Sequence, residues 1–122
     1  MPKKVDVPEN LIPLTPRVFH ILLALVDAEQ HGYKIMKEVE MRSEGKVRIG
    51  PGTLYEAIQR LVKNRLIEES NERPDAELDD QRRRYYRLTR LGRGVLAAES
   101  ERLAALVGFA RTKDLLKEAK SA

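Results

Sequence analysis

The sequence predicts a mainly α-helical domain with one small β-hairpin, an α+β fold, and three observations carry that prediction. Residues 50–67 open with Gly50-Pro51-Gly52 and continue with Leu54, Ala57, Ile58 and Leu61 at helical spacing, with Val62 at the margin. Two further apolar helical patterns precede it, separated by Gln30-His31-Gly32. Two short extended runs, 66–69 and 84–88, flank a stretch rich in charge.

Length and composition set the frame. A chain of 122 residues is one domain with a modest core and little room for a deep catalytic cleft. Its 42% hydrophobic content supports a globular fold, and its 34% charged content places ionic side chains on exposed helix faces and loops. The net charge of +4 is a mild pointer to an anionic partner. With no cysteine, a disulfide framework, a zinc ribbon and thiol chemistry are excluded. The N-terminal Met-Pro-Lys-Lys-Val-Asp lacks the apolar core of a signal peptide, and no apolar run reaches membrane length. The expected location is cytoplasmic.

In chain order, residues 1–13 carry Lys3, Lys4 and three prolines and read as a flexible or extended arm. Thr15-Pro16 then caps a first helix and supplies proline at its first position. Val18, Phe19, Leu22, Leu25 and Val26 form its expected buried side, and Ile21, Leu23 and Ala24 make it apolar almost all round. Tyr33, Met36 and Val39, with Ile35 beside them, define a second helix whose outer face holds Lys34, Lys37, Glu38 and Glu40 and which ends at Ser43-Glu44-Gly45. The third helix starts at Pro51 and gives out near Asn64. Two helices joined by a short turn, the second with a basic outer face, outline a helix-turn-helix.

After Ile67, seven acids fall within residues 68–80, followed by Arg82, Arg83 and Arg84 and then Tyr85-Tyr86-Arg87-Leu88. A hairpin with a charged tip behind a helix-turn-helix is a wing, expected at about 66–88. Thr89 caps a last helix that runs towards the end, with Leu91, Val95, Leu96, Leu103, Leu106, Val107 and Ala110 along one side. Gly92 and Gly94 weaken its first turns, so packing must hold them. The expected organisation is an arm at 1–13, a winged helix-turn-helix at 14–88 and a C-terminal dimerisation helix at 89–122.

Leu14-Thr-Pro16, His31-Gly-Tyr-Lys-Ile-Met36, Gly50-Pro-Gly-Thr-Leu-Tyr55, Arg60-Leu61 with Leu66-Ile-Glu-Glu69, and Arg84-Tyr-Tyr-Arg-Leu-Thr89 with Gly92 together resemble the PadR family of bacterial transcriptional regulators. The resemblance covers roughly residues 14–107. It implies a winged-helix fold, a homodimer built through the C-terminal helix, and a pseudo-palindromic operator bound usually by a repressor. It also implies that the helix beginning near Gly52 is the recognition helix and that Tyr33 and Tyr55 lie at the DNA-facing surface. The C-terminal part reads as a single helix of about thirty residues, as in the shorter members, which leaves little protein for an effector pocket.

Candidate contacts follow from side-chain chemistry. Gln59 suits adenine, and Arg60 and Lys63 suit guanine or phosphate, although the same residues are the solvated face that any amphipathic helix carries. Thr53 belongs to the same outer face, and with Glu56 it has the spacing of a capping box, the reading favoured here over a cytosine contact for Glu56. Tyr33 and Tyr55 are either core-edge aromatics or phosphate ligands. Lys34 and Lys37 suit phosphate clamping. Arg82, Arg83 and Arg84 either balance the acids across the hairpin or follow the DNA backbone. The stripe of Val95, Leu96, Leu103, Leu106, Val107 and Ala110 is expected to pair with a second copy, because it would otherwise leave a long apolar surface bare. Two-fold symmetry then sets two recognition helices about 34 Å apart.

His20 and His31 are the only histidines and read as structural. No cofactor or metal is expected, and no nucleophile–histidine set or phosphate-binding glycine loop points to an enzyme. The alternative to a DNA-binding regulator is a winged-helix protein-interaction module without specific DNA binding. The one effector site expected from this architecture is an apolar cleft at the dimer interface, lined from the first helix and the last.

Overall fold

The computed structural model describes residues 8–70 and 84–117. A short 3-10 turn at Glu9–Leu11 leads into α1 (Pro16–Ala24), β1 (Gln30–His31), α2 (Gly32–Arg42), α3 (Pro51–Lys63), β2 (Ile67–Glu69), β3 (Tyr85–Leu88) and α4 (Arg90–Thr112). The strands form one antiparallel sheet in the order β1-β3-β2, with Gln30 opposite Tyr86 and Ile67 opposite Leu88. β1 was not expected, since its two residues lie in what reads as a break between helices. The acidic tip, with Arg82 and Arg83, lies outside the described residues.

Local chemistry explains the boundaries. The Thr15 hydroxyl accepts the Val18 N–H at 3.2 Å, and Pro16 follows as the first helical residue. α1 ends at Ala24, where the buried Gln30 Nε2 donates to the Ala24 carbonyl at 2.6 Å and to Glu38 at 2.8 Å. Ile21, Leu22, Ala24 and Leu25 are buried, whereas Val18, Phe19 and Val26 are only half-buried. The inward side of α1 is thus rotated from the expected one, which an all-round apolar helix permits. α2 ends in a turn that Gly45 completes at φ +79°, a conformation open to glycine at little cost. α3 ends at Lys63, and Arg65 at φ 62° then reverses the chain so that the Leu66 N–H reaches the Leu61 carbonyl at 2.9 Å.

The core joins Ile21, Leu22 and Leu25 of the α1 region to Ile35 and Val39 of α2, Leu54, Ile58 and Leu61 of α3, and Leu66, Ile67 and Tyr86 of the hairpin. Val95 and Leu96 of α4 belong to it as well. The core therefore crosses the boundary expected at 88/89. Leu11, Ile12 and Leu14 pack against it, so the part of the expected arm from Pro8 to Pro13 carries a helical turn and lies down on the domain. α4 is also shorter than expected. It stops at Thr112, where Asp114 at φ 58° folds the Leu115 N–H back to the Ala110 carbonyl.

Three residues seat α4: Thr89, Gly92 and Glu99. The Thr89 hydroxyl accepts the Gly92 N–H at 2.9 Å and donates to the Arg65 carbonyl, tying the start of α4 to the end of α3. Gly92 then lies directly on Leu66: a Cβ there would stand 2.8 Å from the Leu66 carbonyl carbon and 3.2 Å from its Cα. Further along the helix, the buried carboxylate of Glu99 accepts the Leu14 N–H at 2.6 Å and bonds of Arg102 to both oxygens. The Arg102 bond first, and the Leu14 N–H after it, hold the Glu99 carboxyl below the usual carboxylate range, against the opposing effect of burial.

Gly92→Ala meets backbone rather than a yielding side chain, so it is expected to cost about 3 kcal/mol or more, read as a lowered midpoint in urea unfolding. A change below about 0.5 kcal/mol would mean that α4 is seated differently. Glu99 gives a pH prediction. A depressed folded-state pKa contributes stability fully above the unfolded value of about 4.3 and loses it as pH falls through that value towards the folded one. Thermal midpoints are expected to fall more steeply on acidification in the wild type than in Glu99→Gln. Parallel profiles would contradict the bonded geometry.

Candidate nucleic-acid interface

α3 starts where Gly50 and Pro51 place it. Gly50 is the N-cap, in extended backbone, and Pro51 occupies the first helical position, where its missing N–H leaves no bond unmade. The capping-box reading of Thr53 and Glu56 is therefore overturned, since both lie inside the helix. Burial of Leu54, Ile58 and Leu61 fixes the rotation of α3. Its outer face then exposes Thr53, Glu56, Gln59, Arg60 and Lys63 to solvent.

The start of α2 forms one flank of this face. His31 caps α2, its Nδ1 accepting the Lys34 N–H at 3.2 Å, and its ring meets Tyr85 edge-on at 5.5 Å. Gly32 is pressed against α3: a Cβ on it would lie 3.2 Å from the Tyr55 hydroxyl oxygen and 3.3 Å from a Leu54 methyl. Tyr55 is half-buried by this packing, with its hydroxyl end at the first turn of α2. Tyr33, placed on the inward side of the second helix by the sequence pattern, is instead 56% exposed. Lys37 Nζ stands 5.3 Å from its ring centroid, a cation–π contact, and Lys34 is exposed beside it. Tyr33, Lys34, Lys37 and Tyr55 are thus brought together.

The wing forms the far wall of that flank. Between α3 and the hairpin runs a groove of about 400 Å³ lined by Tyr55, Ile58, Gln59, Val62, Glu69, Arg84 and Tyr86. Arg84 pairs with Glu69 across the hairpin at 3.6 Å, and Arg87 pairs with Glu68 at 2.9 Å and Glu29 at 3.6 Å. Arg84 thus has a carboxylate partner on the facing strand while its side chain stays open to solvent. Burial first, then the Glu69 carboxylate, raises the Tyr86 hydroxyl above the usual tyrosine range, so it stays protonated near neutral pH.

The residues expected at a dimer interface divide into two sets. Val95 and Leu96 are buried in the protomer's own core, which removes them from any contact with a second copy. The same face of α4 continues past the edge of the domain as Leu103, Leu106, Val107 and Ala110. Leu103 and Ala110 are half-buried, and Leu106 and Val107 are exposed. Phe109, 69% exposed, and Leu115 and Leu116 extend this apolar surface and were not picked out by the pattern. Among the described residues no cluster of His, Cys, Asp and Glu could hold a metal ion, and no helix is long and apolar enough to cross a membrane.

This arrangement has counterparts in known proteins. The profile of the transcriptional regulator PadR-like family matches residues 21–98. An uncharacterized protein of Lysinibacillus sphaericus is 35% identical over 77 residues, which are 63% of this chain and 68% of that one. Among solved structures, a transcriptional regulator from Clostridium thermocellum is 26% identical, with a TM-score of 0.63 over 79% of this chain and 87% of its own. A PadR family transcription regulator from Clostridium difficile shares the fold at 22% identity, with a TM-score of 0.64 over 80% of this chain and 97% of its own.

Proposed function

Because the chain belongs to the PadR-like family of transcriptional regulators, we propose that it is a cytoplasmic homodimeric repressor that reads a pseudo-palindromic operator with α3. The observation that carries this reading is the exposed face of Thr53, Glu56, Gln59, Arg60 and Lys63, held in one rotation by buried residues and flanked by tyrosines and lysines. A helix so held meets the major groove in a fixed register, which sequence recognition requires.

The roles divide by chemistry. Gln59, on the exposed face, matches the donor–acceptor pair on adenine. Glu56, released from a capping role, matches the amino donor of cytosine. Tyr33, Lys34, Lys37 and Tyr55 take phosphates of one strand and set the position of α3 without selecting sequence. Arg84, half-neutralised by Glu69, adds little to affinity. The bare apolar end of α4 supports dimerisation, with Leu106, Val107 and Phe109 as the exposed anchors. A two-fold axis there presents the two α3 helices to half-sites about 34 Å apart.

Substitution separates the two kinds of contact. Gln59→Ala is expected to alter the preferred base at one position of each half-site, where a bidentate pair is worth about 1–3 kcal/mol. Lys37→Ala is expected to weaken operator and scrambled DNA alike and to lower the slope of log affinity against log salt by about 0.9. Binding to a randomised half-site library at several salt concentrations reads both. An unaltered preference in Gln59→Ala would mean that another face of the helix enters the groove.

A further inference from the structure

α3 has a second flank. Tyr55 and Arg60 are five residues apart, which places them roughly 140° apart around a helix of 3.6 residues per turn. Tyr55 faces the wing and α2. Arg60 faces a cleft of about 590 Å³ on the other side, closed by the first turn of α1 and by the connection between α2 and α3. Arg17, Lys46, Arg48 and Arg60 line this cleft against one carboxylate, Glu56. All four cations are exposed. Arg48 has a long, open pairing with Glu40 at 3.7 Å, of the kind that contributes little. Among the described residues, Arg17, Lys46 and Arg60 have no acid within ion-pair distance.

The geometry of a duplex gives this cleft an occupant. The major groove is about 12 Å wide, and a helix with its side chains is about 10–12 Å across. A helix seated there is bounded by a phosphate row on each side. The tyrosines and lysines of the α2 flank can meet only one of those rows. We propose that the cleft formed by Arg17, Lys46, Arg48 and Arg60 is a second phosphate-binding flank that grips the backbone of the opposite DNA strand. Its ligand is a row of phosphodiester anions, and its charge excess and continuity with the outer face of α3 fit that ligand. The assignment rests on the DNA-reading function proposed above and adds to it which strand each flank holds.

The test uses the full chain and operator duplex, with Arg17→Gln/Lys46→Gln as one variant and Lys34→Gln/Lys37→Gln as the other. Both pairs lie at the surface, so unfolding midpoints should match the wild type. Each double variant is expected to lower the salt slope by about 1.8, at about 0.9 for each phosphate no longer neutralised, with the ratio of operator to scrambled binding unchanged. Ethylation interference then locates the contacts. Phosphates that no longer matter in Arg17→Gln/Lys46→Gln should lie on the strand opposite those that no longer matter in Lys34→Gln/Lys37→Gln. If the wild type discriminates the operator but the Arg17/Lys46 variant keeps its slope and interference pattern, the cleft is off the DNA and the assignment is wrong. Interference that disappears on the same strand as in the Lys34/Lys37 variant would also overturn it. A wild type that fails to discriminate the operator would sink the functional reading, and this assignment with it.

Discussion

The rotation of α3 is set by Leu54, Ile58 and Leu61, all buried in the common core, and most of the surface chemistry depends on that rotation. With those three residues inward, Gln59, Glu56 and Lys63 can only point out, and Tyr55 and Arg60 can only stand at the two flanks. Each neighbour then supplies the flank it touches. Gly32 lets α2 approach closely enough to bring Tyr33, Lys34 and Lys37 beside Tyr55. On the other side, α1 and the α2–α3 connection bring Arg17, Lys46 and Arg48 beside Arg60. A substitution that shifted the core packing of α3 would therefore misplace both flanks together, without touching any polar residue.

α4 serves two purposes along one face. Its first turns are part of the domain, seated by Thr89, Gly92 and Glu99, and its last turns carry the same face out beyond the domain's edge. In the proposed dimer at Leu106 and Val107, rigid continuity between the halves is what would hold two α3 helices at one spacing. The Glu99 carboxylate, bonded to the N–H of Leu14 and to Arg102, fixes the point at which α4 leaves the core. A buried ionised group is costly unless fully bonded, and here Arg102 and a backbone N–H together satisfy it.

Much of this was legible in the sequence, for identifiable reasons. The caps at Thr15 and Thr89, the proline starts and the apolar stripes are local signals, and they placed the helix starts to within a few residues. The hairpin strands were visible because turn residues and charge bracket them. β1 was not visible, because two residues carry no periodicity and its partner strand lies more than fifty positions away. The capping box failed because a proline after Gly50 starts the helix earlier than the Thr53–Glu56 spacing suggests. Val95 and Leu96 show the limit of a stripe: an apolar face declares that something covers it, but not whether that is the same chain or another. Arg17 lies on one segment of the sequence and Lys46 and Arg48 on another, and they become one feature only when α1 and the α2–α3 connection close around α3.

The central claim is that a dimer of this chain recognises one DNA sequence through α3, and a salt-titrated binding measurement tests it most directly. The full chain would be titrated against the DNA upstream of its own coding region and against scrambled DNA of equal length, with protomers per site counted by sedimentation. The expected result is a preference of about 10³ or more for one site, two protomers on it, and loss of both in Leu106→Asp/Val107→Asp. Equal, weak binding to both duplexes, abolished by about 0.2 M salt, would contradict it and leave only a basic surface.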